Sequence, residues 1–218
     1  MGFDITTLKA MLISIKYTKK KDLLMLGRQQ IHTKVNGYNY GDYSEQIFYD
    51  LGFENVQSID NNSYENASII FNLNKPFIEH LFYDYIFDGG TTEHIFNIPQ
   101  VYENIINMLK IDGIFCSVTC NNNFSGHGLY QFSPDFFISI FNKKYGMELL
   151  ELYLAEIDSD VKDWVKIEDN FKFRNFKFRN YKQIYIITIA KKITENRESL
   201  ITNPPNQYLY EQILWEKK

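Results

Sequence analysis

Glycine, proline and cysteine are all scarce in this chain, with 11, 5 and 2 copies among 218 residues. Average usage gives about 15 glycines at this length. The two cysteines, Cys116 and Cys120, lie in one apolar run and lack the second ligand pair of a zinc site. They read as reduced thiols of a cytoplasmic protein. No stretch approaches the ~18 consecutive apolar residues of a membrane span. No apolar run ahead of a small-residue cleavage site follows Met1, so no signal peptide is expected. An excess of one charge is also missing. With 23 Lys and Arg against 27 Asp and Glu the net charge is −4, which argues against wholesale binding of nucleic acid or anionic membrane. Two phosphate-binding patterns are absent as well. Gly27-Arg28-Gln29 is not the Gly-x-Gly-x-x-Gly of dinucleotide sites, and no Gly-x-x-x-x-Gly-Lys-Ser/Thr loop occurs.

What the chain has in quantity is aromatic: 18 Phe, 16 Tyr and 2 Trp. Ile, Asn and Lys are abundant too, the mark of an AT-rich genome, so the aromatic excess alone does not indicate a stacking surface. At 44% hydrophobic and 23% charged residues the composition is globular. The length favours a single domain, expected over residues 1–193 with a tail at 194–218.

Strand and helix patterns alternate along that domain. Helical spacing covers Ile5 to Tyr17, Ser44 to Leu51, Ile98 to Leu109 and Pro134 to Phe141, with Ser133-Pro134 as cap and first residue of the last. Seven apolar runs read as strands: Asp22 to Gly27, Asn55 to Asp60, Ser68 to Asn72, Phe82 to Asp88, Ile114 to Thr119, Met147 to Leu154 and Gln183 to Ala190. Such alternation predicts a mostly parallel α/β sheet with helices on both faces, doubly wound in the Rossmann manner. Ligands of such sheets bind beyond the carboxyl ends of the strands, near the point where strand order reverses.

One segment breaks the pattern. From Asn170 to Lys182 a five-residue basic and aromatic unit repeats, inside an insertion at about 158–182. It reads as a solvated hairpin lengthened by duplication, or as a basic lip steering an anionic substrate.

The chemistry-bearing residues follow the strand ends. Asp60, next to Asn61 at the end of the second strand, can accept both hydroxyl protons of a ribose, or can cap a turn. Gly27 lets a ligand approach the backbone. After the fourth strand come Asp88, Gly89, Gly90, Glu93 and His94. After the fifth comes His127, between Gly126 and Gly128. Two histidines beyond neighbouring strands are candidates for acid–base work. They could also ligate a metal with Glu93 or Asp88, as two His and one carboxylate do for iron. The His-x-x-x-His pattern of zinc proteases is missing, and a site without metal is the expectation.

From Leu23 to Ala190 the order of these signals resembles the class I S-adenosylmethionine-dependent methyltransferases. Leu23 to Gly27 matches the glycine-ended first strand, Asp60 the ribose acid and Asn72-Leu73 the adenine-contacting segment. Asp88-Gly89-Gly90 matches the motif after strand four, and Leu109 to Gly113 the turn before strand five. Glu93 to Asn97 and His127 to Pro134 resemble a bacterial subgroup of small methyltransferases, some associated with surface sugars or capsule. Departures are visible: one glycine in the first motif, Asn72 for the usual Asp, and Ile111-Asp112 for Pro-Gly.

The resemblance implies a seven-stranded sheet with an antiparallel last strand, and S-adenosyl-L-methionine as cofactor. It implies cofactor contacts from Gly27, Arg28, Gln29, Asp60, Asn61, Asn72, Leu73, Asp88 and Gly89. His127 is then the preferred base, His94 the second, and Glu93 orients whichever acts. Tyr130 and Arg28 would meet the acceptor, and Arg28 hints at an anionic one. The implied reaction is O-methylation of a small polar acceptor such as a sugar or surface-polysaccharide precursor, by a cytoplasmic protein acting alone or as a homo-oligomer. Two other readings compete: a non-catalytic binding or assembly protein that keeps the fold, and an RNA methyltransferase using the basic insertion.

Overall fold

A computed structural model describes residues 2–34, 37–168 and 181–207. Eight strands form one sheet: β1 (Asp22–Leu26), β2 (Asn55–Asp60), β3 (Ile69–Ile70), β4 (Tyr83–Asp88), β5 (Leu109–Asn122), β6 (Met147–Glu156), β7 (Val165–Lys166) and β8 (Ile184–Lys192). Their order is β3-β2-β1-β4-β5-β8-β6-β7. The first five run parallel, whereas β8 is antiparallel to β5 and β6, and β7 is antiparallel to β6. The seven strands expected from sequence are all present, and the two-residue β7 is added at the edge.

Two strands differ in length from expectation for visible reasons. β3 is cut to Ile69–Ile70 because Ser58 and Ser68 cross-bond, each hydroxyl accepting the other's backbone N–H at 3.2 Å. Side chains there take the place of ladder bonds. β5 begins at Leu109 rather than Ile114, through an irregular register opposite Tyr83 and Tyr85 and a positive φ of 65° at Asp112.

Four helices cover the sheet: α1 (Ile5–Ser14), α2 (Glu45–Asp50), α3 (Ile98–Met108) and α4 (Pro134–Ile140). A short 3-10 turn, Ile15–Tyr17, takes the last residues of the first expected helix. Asp4 caps α1 by accepting the Thr7 N–H at 2.8 Å, and Ser133 caps α4 as its sequence predicts. Successive side chains of β1 part to opposite faces. Leu23 and Met25 pack with Met11 of α1 and Phe48 of α2, while Leu24 and Leu26 pack with Val101 of α3 and Phe137 of α4. Both faces are thus apolar, which is why the strand reads as a continuous hydrophobic run.

After β8 the chain turns back onto α3. Arg197 pairs with Glu103 at 2.9 Å, the Leu200 N–H donates to the same carboxylate, and Leu200 is buried in the core. Residues 208–218 of the tail, and 169–180 with most of the basic repeat, lie outside the described residues. Among the described residues no helix is long and apolar enough to cross a membrane.

Candidate active site

Strand order reverses between β1 and β4, and the loops beyond β1 to β4 line a cavity of about 380 Å³ at that point. Its floor is built by tight backbone approaches. Gly27 has φ +71°, donates its N–H to the Ile59 carbonyl at 2.8 Å, and has no room for a side chain: a Cβ would lie 2.6 Å from Thr91 Oγ1. The Thr91 hydroxyl in turn donates to the Leu26 carbonyl at 2.6 Å, tying the ends of β1 and β4 together.

Gln29 is buried and lines the cavity. Its amide donates to the Leu26 carbonyl at 3.2 Å, while its Oε1 has no partner among the described residues. Asp60, Asn61, Asn72 and Leu73 line the opposite side. Asn72 Oδ1 accepts the Asn74 N–H at 3.0 Å, a turn that fixes the loop after β3.

Asp88 and Gly89 stand beneath the cavity and do not line it. Asp88 is fully buried, and its Oδ1 accepts the N–H groups of Gly90 at 3.2 Å and Thr91 at 2.8 Å. Its Oδ2 accepts the Thr92 hydroxyl at 2.6 Å. Burial raises this carboxyl's pKa, against the pull of those bonds. The residue is the staple of the turn that carries Glu93 and His94.

That turn, a 3-10 segment Thr92–His94, meets the loop after β5. The Glu93 carbonyl accepts the N–H of Leu129 at 2.8 Å and of Tyr130 at 3.1 Å. Gly128 presses on the same residue, where a Cβ would come within 3.0 Å of the Glu93 carbonyl oxygen. The two histidine rings meet edge to face at 4.9 Å, and His127 Nε2 lies 3.9 Å from Glu93 Oε1. One nitrogen of each histidine and one Glu93 oxygen fall within 4.8 Å of one another.

His94 reaches the cavity, with Glu93 and His127 behind it. Glu93 is fully buried. Burial, then the Asp88 charge, push its carboxyl up to about 8. Burial lowers both imidazoles, which keeps them neutral near pH 7.

No protein-family model and no curated protein matches the chain. Solved structures do. The N-methyltransferase NodS from Bradyrhizobium japonicum WM9, in complex with S-adenosyl-L-homocysteine, aligns with TM-score 0.54 and 8% identity over 86% of this chain and 85% of that one. A SAM-dependent methyltransferase from Methanosarcina mazei aligns at 0.52 and 12% identity, over 84% and 98%. Coclaurine N-methyltransferase bound to N-methylheliamine and S-adenosyl-L-homocysteine aligns at 0.52 and 11%, over 84% and 72%. The fold is that of the S-adenosylmethionine-dependent methyltransferases. At these identities the likeness is one of architecture.

Within this methyltransferase fold, the two residues expected to meet the acceptor are engaged elsewhere. Arg28 lines the cavity, but its Nε donates to Glu45 at 2.6 Å and its Nη1 to the Glu65 carbonyl at 2.8 Å. The guanidinium also lies 3.9 Å over the Tyr43 ring. It ties the β1–α2 connection and the start of α2 to the β2–β3 loop, and the inference of an anionic acceptor loses its support. The Tyr130 hydroxyl donates to the Phe96 carbonyl at 2.7 Å. Conversely, His32, Glu65, Phe71 and Ile95 line the cavity without having been singled out. Burial, then the Asp60 charge, raise the Glu65 carboxyl. Glu65 sits in a turn-rich polar stretch whose acid reads as solvated, and only its proximity to Asp60 marks it.

Proposed function

We propose that this chain transfers a methyl group from S-adenosyl-L-methionine to a hydroxyl oxygen of a small polar acceptor, such as a sugar or a surface-polysaccharide precursor. The observation that carries the reading is the orphaned Gln29 Oε1. It is a buried acceptor on a residue that lines a cavity whose glycine floor admits no side chain at position 27. A buried acceptor left unpaired costs roughly 1–3 kcal/mol, and a ligand ammonium removes that cost.

The remaining residues fit the same group. Asp60 presents a carboxylate for two ribose hydroxyls, and Asn72 with Leu73 flanks an adenine ring. When bound, the cofactor supplies a methyl carried on a sulfonium. Gly27 and Gln29 hold the methionine end over the β1–β4 switch point, so that the acceptor approaches from the His94 side. Activation of the acceptor hydroxyl falls to Glu93, His94 and His127, the ionisable cluster at that edge. The sugar class rests on the resemblance of Glu93 to Asn97 and His127 to Pro134 to the bacterial subgroup. Free, buried Cys116 and Cys120 support a cytoplasmic setting.

Calorimetry with S-adenosyl-L-methionine and S-adenosyl-L-homocysteine tests the reading. Both bind in the expected outcome, and Asp60→Ala weakens them by ~10–100-fold at unchanged melting temperature, the range for a lost hydrogen bond to a charged group. Absence of binding by the wild-type chain overturns it.

A further inference from the structure

We infer that Glu93, His94 and His127 form a binding site for one divalent transition-metal ion at the acceptor edge of the cavity. The donor set is two imidazole nitrogens and one carboxylate oxygen, within 4.8 Å of one another. Two His and one carboxylate form the facial arrangement that leaves positions of a first-row ion open. Imidazoles favour iron, cobalt, nickel or zinc over magnesium and calcium, which prefer oxygen ligands.

The alternative, a hydrogen-bonded Glu–His relay, does not fit the distances. His127 Nε2 and Glu93 Oε1 are 3.9 Å apart, beyond the ~2.7–3.2 Å of a hydrogen bond. Both His127 Nε2 and Glu93 Oε2 are buried atoms with no hydrogen-bond partner among the described residues. Glu93 itself is 0% exposed. Glu93 Oε1 accepts the Cys120 thiol at 3.5 Å, but the buried Glu93 Oε2 and His127 Nε2 left without partners are costly in the protein alone. A cation between them supplies the partner that Glu93 Oε2 and His127 Nε2 lack.

The scaffold is built for fixed geometry. Asp88 pins the turn bearing Glu93 and His94, and the Glu93 carbonyl binds the loop bearing His127 through the Leu129 and Tyr130 N–H groups. Ligands from two segments are thus locked to each other before any ion arrives. His94 lines the cavity, which puts the cluster at the cavity's edge.

The site stands on this geometry, and its task rests on the methyl-transfer reading. An acceptor hydroxyl on the ion loses its proton to solvent water, and the resulting alkoxide forms the O–CH3 bond as the S–CH3 bond breaks. The electron pair stays on sulfur, giving a neutral thioether, and the ion does not change oxidation state.

Chelator-treated protein titrated with Co2+ alone tests the site by calorimetry and visible absorption. The expected result is one Co2+ per chain, with bands of a nitrogen- and oxygen-ligated ion. His94→Ala and His127→Ala each weaken it by at least ~10-fold, with melting temperature unchanged. Glu93→Gln, checked for folding by circular dichroism, does the same. Lack of saturable binding, or binding undiminished in the folded double histidine variant, overturns the inference. S-adenosyl-L-homocysteine calorimetry on the same metal-free protein reads the other proposal separately. S-adenosyl-L-homocysteine bound without Co2+ binding sinks the ion site alone, and the reverse sinks the methyl-transfer reading alone.

Discussion

Gln29 lies across Gly89 so closely that a Cβ at position 89 would meet its Oε1 at 2.0 Å and its Nε2 at 2.6 Å. The contact joins the loop after β1 to the loop after β4. Gly89 is therefore a residue of space, since its backbone is not among the positive-φ glycines. Gly89→Ala should force the whole buried amide aside. Overpacking of this kind costs about 1–3 kcal/mol, so a melting temperature several degrees lower is expected, together with weaker S-adenosyl-L-homocysteine binding. Gln29→Ala should relieve the clash, so that the double variant is less destabilised than the sum of the singles. Strict additivity in that cycle would show that the two residues do not press on one another.

Much of this site is legible in the sequence because it hangs on strand ends. Gly27, Asp60 and Asn72-Leu73 close apolar runs, and run ends are what local pattern reveals best. The parallel order then brings them to one cavity without further information. What could not be read is whatever depends on partners far along the chain. Arg28 has the composition of an anion contact, yet Tyr43, at the far end of the same loop, and Glu45, at the start of α2, take up its guanidinium. Asp88 has the type of a site acid, and only the folded turn shows its oxygens spent on Gly90, Thr91 and Thr92. The burial of Glu93 likewise needs the His127 loop laid over it. β7 is two residues long, too short for any periodicity.

Arg28 offers a direct contrast between the two levels. If its guanidinium met an anionic acceptor, Arg28→Lys would preserve part of that attraction. The structure instead uses the planar fork: a 2.6 Å bond to Glu45, a carbonyl contact at Glu65 and stacking on Tyr43. Lysine reproduces none of that geometry. Arg28→Lys and Arg28→Ala should therefore weaken cofactor binding alike, by loosening the loops around Asp60. Neither should change the response of methyl transfer to acceptor charge. A selective loss of anionic acceptors in Arg28→Ala, with cofactor affinity intact, would restore the acceptor role.

At the end of the strands opposite the cavity, one ammonium holds two strand starts. Lys110 Nζ lies 2.6 Å from Asp22 Oδ2 and 2.7 Å from Asp84 Oδ2. The hydrogen bond from Lys110 is the largest cause that holds the Asp22 carboxyl below its usual range. A depressed carboxyl binds its proton less well folded than unfolded. Its contribution is therefore complete above the unfolded value of about 3.9 and is lost as pH falls through the lower, folded value. The groups are partly exposed, so the contribution is about 1 kcal/mol. Lys110→Met leaves Asp22 and Asp84 facing each other unneutralised. It should lower the melting temperature at pH 7 by ~2–4 °C, with the difference from wild type shrinking as pH falls below ~4. A variant equally destabilised at pH 3 and pH 7 would mean that Lys110 acts through its packing and not its charge.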